Sequence, residues 1–175
     1  MRCAFLIICM TLNALAWAGP ETDSLMKQAR EEAAAGRRPE AAVLLYKVLE
    51  MDPGQMLAWA RLAVLYEKEG QWPQAQWLWG RIAMDPQWGG EALYSMAAIS
   101  EELRDMEEAV RFYLAVPHYH PDDARWVSPA VVRAADLVAA QGDKERAKRL
   151  ITYLLKTGKT PLGRAPLEKR LREWK

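Results

Sequence analysis

The residues whose types could do chemistry are few and close together. Pro117-His118-Tyr119-His120-Pro121-Asp122-Asp123 sets two imidazoles and two carboxylates in one short stretch. Imidazole and carboxylate together suit zinc or copper, which makes His118, His120 and Asp122 the candidate metal ligands. The commoner structure for a run between prolines is an exposed polar turn, and that reading outweighs the metal one here, so no metal or other cofactor is expected. The two histidines are also the side chains whose ordinary titration falls near neutral pH.

Other reactive groups are scarcer still. Cys3 and Cys9 are the only cysteines, and both sit in an apolar leader. Met1-Arg2 supplies a positive start, Cys3 to Leu15 is almost wholly apolar, and Ala16-Trp17-Ala18 has the small-x-small pattern that signal peptidase needs, with Gly19-Pro20 following. Residues 1–18 are therefore expected to be a cleavable signal peptide, cut after Ala18, with the mature chain exported to the periplasm or another extracytoplasmic space. The apolar run is shorter than the roughly 20 residues of a spanning helix. A retained leader that tethers the chain to a membrane is the alternative, and it is not favoured.

A chain cut there has no thiol nucleophile, no cysteine metal site and no disulfide, and must be stable through packing alone. The sequence also lacks a glycine-rich phosphate loop, a nucleophile elbow and a His-Glu-x-x-His helix. No enzyme is expected. Hydrophobic residues make up 51% and charged residues 27% of the 175, the balance of a folded soluble protein with room for one domain. Without Arg2 the chain has 23 basic and 23 acidic residues, distributed as +7 over 143–175 and −7 over 19–142. Zero net charge argues against general nucleic-acid binding, and the basic end reads as solvated surface.

The elements that must position these residues repeat. Ala41, Ala75 and Ala109 are each 34 residues apart. The middle copy reads Trp59-x2-Leu62-Ala63-x2-Tyr66-x3-Gly70-x4-Ala75-x3-Trp79, closing at Asp85-Pro86. Trp59, Leu62, Ala63 and Tyr66 form one apolar face at helical spacing, Gly70 ends that helix, and Pro86 ends the next. The copy before carries Leu25, Ala29, Gly36, Ala41, Leu45, Val48 and Pro53, with Gln28 and Glu32 where Leu62 and Tyr66 stand. The copy after carries Leu93, Ala97, Ala109, Tyr113, Val116 and Pro121, with Ser100 at the tyrosine place and Arg104 at the glycine place. A fourth, with Ala134, Ala135, Val138, Gly142, Ala147 and Ile151, fits if four extra residues are placed within Pro117–Ser128.

This pattern resembles the tetratricopeptide repeat. The resemblance implies an all-α, right-handed αα-hairpin solenoid of about four repeats with a C-terminal capping helix. The expected units are about 22–55, 56–89, 90–123 and 128–161 within a repeat domain over 19–164, capped by residues 165–175. It also implies a concave groove lined by the first helices, which holds a protein or peptide partner. Family geometry then places Met26, Arg30, Leu57, Val64, Tyr94, Ala98, Glu101, Val132 and Asp136 at the partner-binding groove. Tyr94, Leu57, Val64 and Val132 would be apolar anchors, while Arg30 and Glu101 would set register. Some relatives clamp a terminal carboxylate with asparagine and lysine side chains, and this chain's only asparagine is Asn13, in the leader.

The expected function is that of an interaction scaffold or adaptor, binding a helix or hydrophobic segment during assembly of an envelope, secretion or pilus complex. A solenoid that stacks on its own copies is the structural alternative. The oligomeric state and the identity of the partner are not legible in the sequence. Trp59, Trp72 and Trp79 are expected in the core, and Trp77, Trp88 and Trp126 on the surface as a second candidate interface.

Overall fold

Four helix ends leave the right-handed backbone region at matching places: Gly36 (φ 80°), Gly70 (φ 68°), Arg104 (φ 64°) and Gly142 (φ 98°). The turn needs a left-handed residue to fold the chain back, and glycine takes that conformation without a Cβ clash. Three of these ends close with the same long backbone bond: Arg37 N–H to the Glu32 carbonyl (3.0 Å), Asp105 to Ser100 (2.9 Å) and Asp143 to Val138 (3.2 Å).

The computed structural model describes residues 3–157 and 164–174, with side chains from residue 19 onward. Within those residues all the regular structure is helical: α1 (Cys3–Ala34), α2 (Arg38–Met51), α3 (Met56–Lys68), α4 (Trp72–Ile82), α5 (Gly89–Glu102), α6 (Met106–Tyr119), α7 (Ala124–Ala140), α8 (Lys144–Thr157) and α9 (Arg164–Glu173). The leader side chains at 1–18, and so the expected cleavage after Ala18, lie outside those described. Pro20 is an interior residue of α1. Among the described residues no helix is long and apolar enough to cross a membrane.

The chain divides into two compact units, Met1–Gly70 and Gln71–Lys175. In the first, α1 packs on α2 and α2 on α3. Its core is Ala29, Ala41, Leu45, Val48, Leu62 and Ala63. In the second, α4 to α8 pack in sequence, α5 also meets α7, and α9 lies on α7 and α8 with Leu167 buried beneath it.

The repeat explains what is buried. Ala41, Ala75, Ala109 and Ala147 are all fully buried, one in each second helix, where a larger side chain would hold the hairpin apart. Ala29, Ala63, Ala97 and Ala135 are the equivalent buried positions of the first helices. Leu45, Trp79, Tyr113 and Ile151 fill one shared large position, each at most 1% exposed. Burying such a side chain contributes about 1.5–3 kcal/mol.

Second helices begin by two devices. Pro39 and Pro73 stand in the first turns of α2 and α4, where a missing N–H leaves no intrahelical bond unmade. Asp105 and Asp143 instead cap α6 and α8, accepting from the N–H of Glu108 (2.9 Å) and Arg146 (2.8 Å).

Two expectations are corrected. The stretch from Pro117 to Ser128 is mostly helix, because α6 continues through Pro117 to Tyr119 and α7 starts at Ala124. The extra residues therefore lengthen helices, and only His120–Asp123 forms a turn. Among the three tryptophans expected in the core, Trp79 is 1% exposed, whereas Trp59 and Trp72 are half-buried. The Trp59 indole N–H donates to the Pro53 carbonyl (3.0 Å), which places its polar edge in the loop before α3.

Candidate partner-binding faces

Each unit carries its own share of the predicted groove residues. On α1, Met26 and Arg30 are one turn apart, as are Asp23 and Lys27. On α3, Leu57 and Arg61 are one turn apart, with Gln55 just before the helix. Together these seven side chains line a cleft of about 300 Å³. Arg61 Nη1 donates to the Met26 carbonyl (3.1 Å) and so ties α3 to α1. Burial, and then the neighbouring Arg30, lower the proton affinity of the Arg61 guanidinium. Met26 is buried, Leu57 half-buried and Arg30 exposed. Val64, two turns beyond Leu57, is half-buried and does not line this cleft.

In the second unit, Tyr94, Ala98 and Glu101 follow one stripe of α5, and Val132 and Asp136 follow one stripe of α7. Ala98 and Val132 are half-exposed. Tyr94, expected as a free anchor, packs its ring against both Tyr113 and Trp126, with centroids 5.0 Å away in each case. Edge and tilted contacts of this kind stabilise aromatic pairs beyond their buried area. Trp126 therefore belongs to an intramolecular cluster and its indole nitrogen is buried, while Trp88 is half-buried and Trp77 is 60% exposed.

The charged positions of this face are committed within the chain. Glu101 accepts from the Tyr113 hydroxyl (2.7 Å) and from Arg133 through Nε (2.9 Å) and Nη2 (2.5 Å). Burial opposes the Glu101 charge, but Arg133 and Tyr113 outweigh it and hold the carboxyl below the usual glutamate range. Burial, followed by that same bond, pushes the Tyr113 phenol well up. Asp136 accepts from Arg170 Nη2 of α9 (2.8 Å). Burial nonetheless raises the Asp136 carboxyl, with Arg170 only partly compensating.

The histidine stretch has a structural occupation. His120 Nε2 donates to the Ala83 carbonyl (2.8 Å), and His118 stacks edge-on to Tyr119 at 4.6 Å. Asp123 caps α7 through the Arg125 N–H (3.2 Å) and accepts from the Arg125 side chain (3.0 and 3.1 Å). Among the described residues no three His, Cys, Asp or Glu side chains converge to hold a metal, so His118, His120 and Asp122 are not brought together as ligands. This turn packs closely because of two glycines: a Cβ on Gly89 would stand 2.2 Å from His120 Nε2, and one on Gly90 would stand 2.7 Å from Asp123 Oδ2.

Sequence reasoning missed Lys27, Arg61, Arg133 and Arg170. A signal existed for the first two, which are 34 residues apart and so occupy the same place in successive repeats. Arg133 and Arg170 had none, since their partners come from other helices.

A family model described as tetratricopeptide repeat matches residues 32–78. No curated protein matches the sequence. The fold is similar to that of the crystal structure of MamA, with a TM-score of 0.62 and 16% identity over 87% of this chain and 80% of that one. It is also similar to a tetratricopeptide repeat protein from Parabacteroides merdae, with a TM-score of 0.63 and 17% identity over 87% of this chain and 60% of that one. YrrB, solved as a tetratricopeptide-repeat protein with an unusual peptide-binding site, gives a TM-score of 0.55 and 14% identity over 85% of this chain and 78% of that one. With the left-handed turns and buried alanines recurring at the repeat interval, and the family model matched over residues 32–78, this chain has the helical-hairpin fold of the tetratricopeptide-repeat proteins.

Proposed function

We propose that the chain is an exported, non-catalytic interaction scaffold that holds a helix or apolar peptide segment of a partner against the first helices of its repeats. It serves the assembly of an envelope, secretion or pilus complex in an extracytoplasmic space. One observation carries the binding mode: groove positions of two successive repeats, Met26 and Arg30 on α1 and Leu57 on α3, meet around one cleft. An apolar floor with polar edges suits the apolar face of an amphipathic segment. The peptide-binding site ascribed to YrrB supports the same class of ligand, and the signal-like leader supports export.

Affinity capture from cells tests this with two substitutions. Leu57→Glu puts a charge in the cleft, and Val43→Glu puts one on the 55% exposed α2 surface. The proposal expects Leu57→Glu to lose the captured partners and Val43→Glu to keep them. Equal capture by both variants would contradict it.

A further inference from the structure

We propose that the cleft between α1 and α3 seats an acidic side chain of an amphipathic segment of a partner protein, an inference that rests on the scaffold function above. Lys27, Arg30 and Arg61 all line this cleft, and Asp23 is its only carboxylate. Among the described residues none of the three cations is ion-paired. Elsewhere the arginines beside predicted groove residues have carboxylate partners: Arg133 pairs with Glu101, and Arg170 with Asp136.

The described acceptor of Arg61 is the Met26 carbonyl, a neutral group that leaves the guanidinium charge uncompensated. A carboxylate entering here would meet one arginine made unfavourable by burial and by Arg30. It would offset both effects, and charge-assisted bonds to a guanidinium fork are among the stronger hydrogen bonds. Met26 and Leu57 offer the stem or neighbour of that residue an apolar contact.

Size and charge select the occupant. A cleft of about 300 Å³ admits one or two side chains. The cleft lies in residues 19–142, which carry a net charge of −7, so its three cations are a local feature and not part of an extended positive field for a polyanion or an anionic membrane. Gln55 can hydrogen-bond a peptide amide, while Asp23 repels a second carboxylate. The chemistry points to a single glutamate or aspartate beside apolar residues, carried within a segment.

The test uses the full-length chain and short fluorescent peptides of leucine, alanine and glutamate, blocked at both ends so that no terminal carboxylate is present. Their twins carry glutamine for glutamate. Fluorescence anisotropy should show the acidic peptides binding about tenfold or more tighter than the twins, a difference of about 1.4 kcal/mol. The exposed substitutions Lys27→Gln and Arg30→Gln should remove that preference together, with circular dichroism unchanged. Equal binding of acidic and neutral peptides, or a preference that survives both substitutions, overturns the proposal. So does charge-dependent binding confined to phosphatidylserine vesicles. If cell capture of partners remains sensitive to Leu57→Glu but unaffected by Lys27→Gln with Arg30→Gln, the scaffold function stands and the acidic seat falls.

Discussion

Arg104 holds the left-handed backbone that glycine holds in the other three repeats. A side chain in that conformation costs about 1–2 kcal/mol, and glycine's greater unfolded freedom takes back about 0.5–1 kcal/mol, so Arg104→Gly should stabilise the protein by about 0.5–1 kcal/mol. Urea unfolding should show a higher midpoint at unchanged slope, and a lower midpoint would mean that Arg104 makes a compensating contact. Glu101 gives a second test at this scale. Its carboxyl is held below the ordinary value of 4.5, so its stabilisation is fully present above that value and is lost as pH falls through the lowered one. Glu101→Gln should therefore cost on the order of 1–3 kcal/mol at neutral pH, and the gap from wild type should close in acid. A gap independent of pH would show that Glu101 is an ordinary carboxylate. The positions of Glu101 and Asp136 were legible from repeat geometry, but their partners were not. Arg133 and Arg170 reach them across helices, by a pairing that no one-dimensional spacing encodes.

Helices α6 and α7 show how an insertion is absorbed. Pro117 sits inside α6, and the turn that follows, which contains Pro121, is held down by the His120 bond to Ala83. The stretch looked like a loop because its composition is that of a turn, yet its ends continue helices already packed on their neighbours. Gly89 makes that packing possible. Gly89→Ala would place a Cβ 2.5 Å from the Ala83 carbonyl, a backbone atom that cannot swing aside. It should cost about 1–3 kcal/mol, as overpacking does. Gly80→Ala is the matched control, since a Cβ there meets nothing within 4 Å on exposed α4. It should gain about 0.5–1 kcal/mol from helix propensity. Thermal melts of the pair should move in opposite directions, and a shared direction would show that close approach at Gly89 is not what selects glycine.

Across the chain, the repeat was legible because its constraints recur at one interval: a small residue where helices touch, a large one beside it and a left-handed residue between. Those constraints survive even where Ser100 and Glu32 replace the family's tyrosine. The division after Gly70 was not legible, for it falls inside the best-formed copy of the motif. The candidate site was legible as faces of helices. Its charge was not, because the groove positions taken from the family omit the place that Lys27 and Arg61 share. The central claim is that the first-helix faces carry the partner. A photoreactive residue placed in the full-length chain at Leu57 or Ala98, on first helices, and at Val43 or Tyr153, on second helices, tests it in cells. The account predicts that the same partners crosslink through Leu57 and Ala98 and not through Val43 and Tyr153. Crosslinking through Val43 or Tyr153 alone would contradict it.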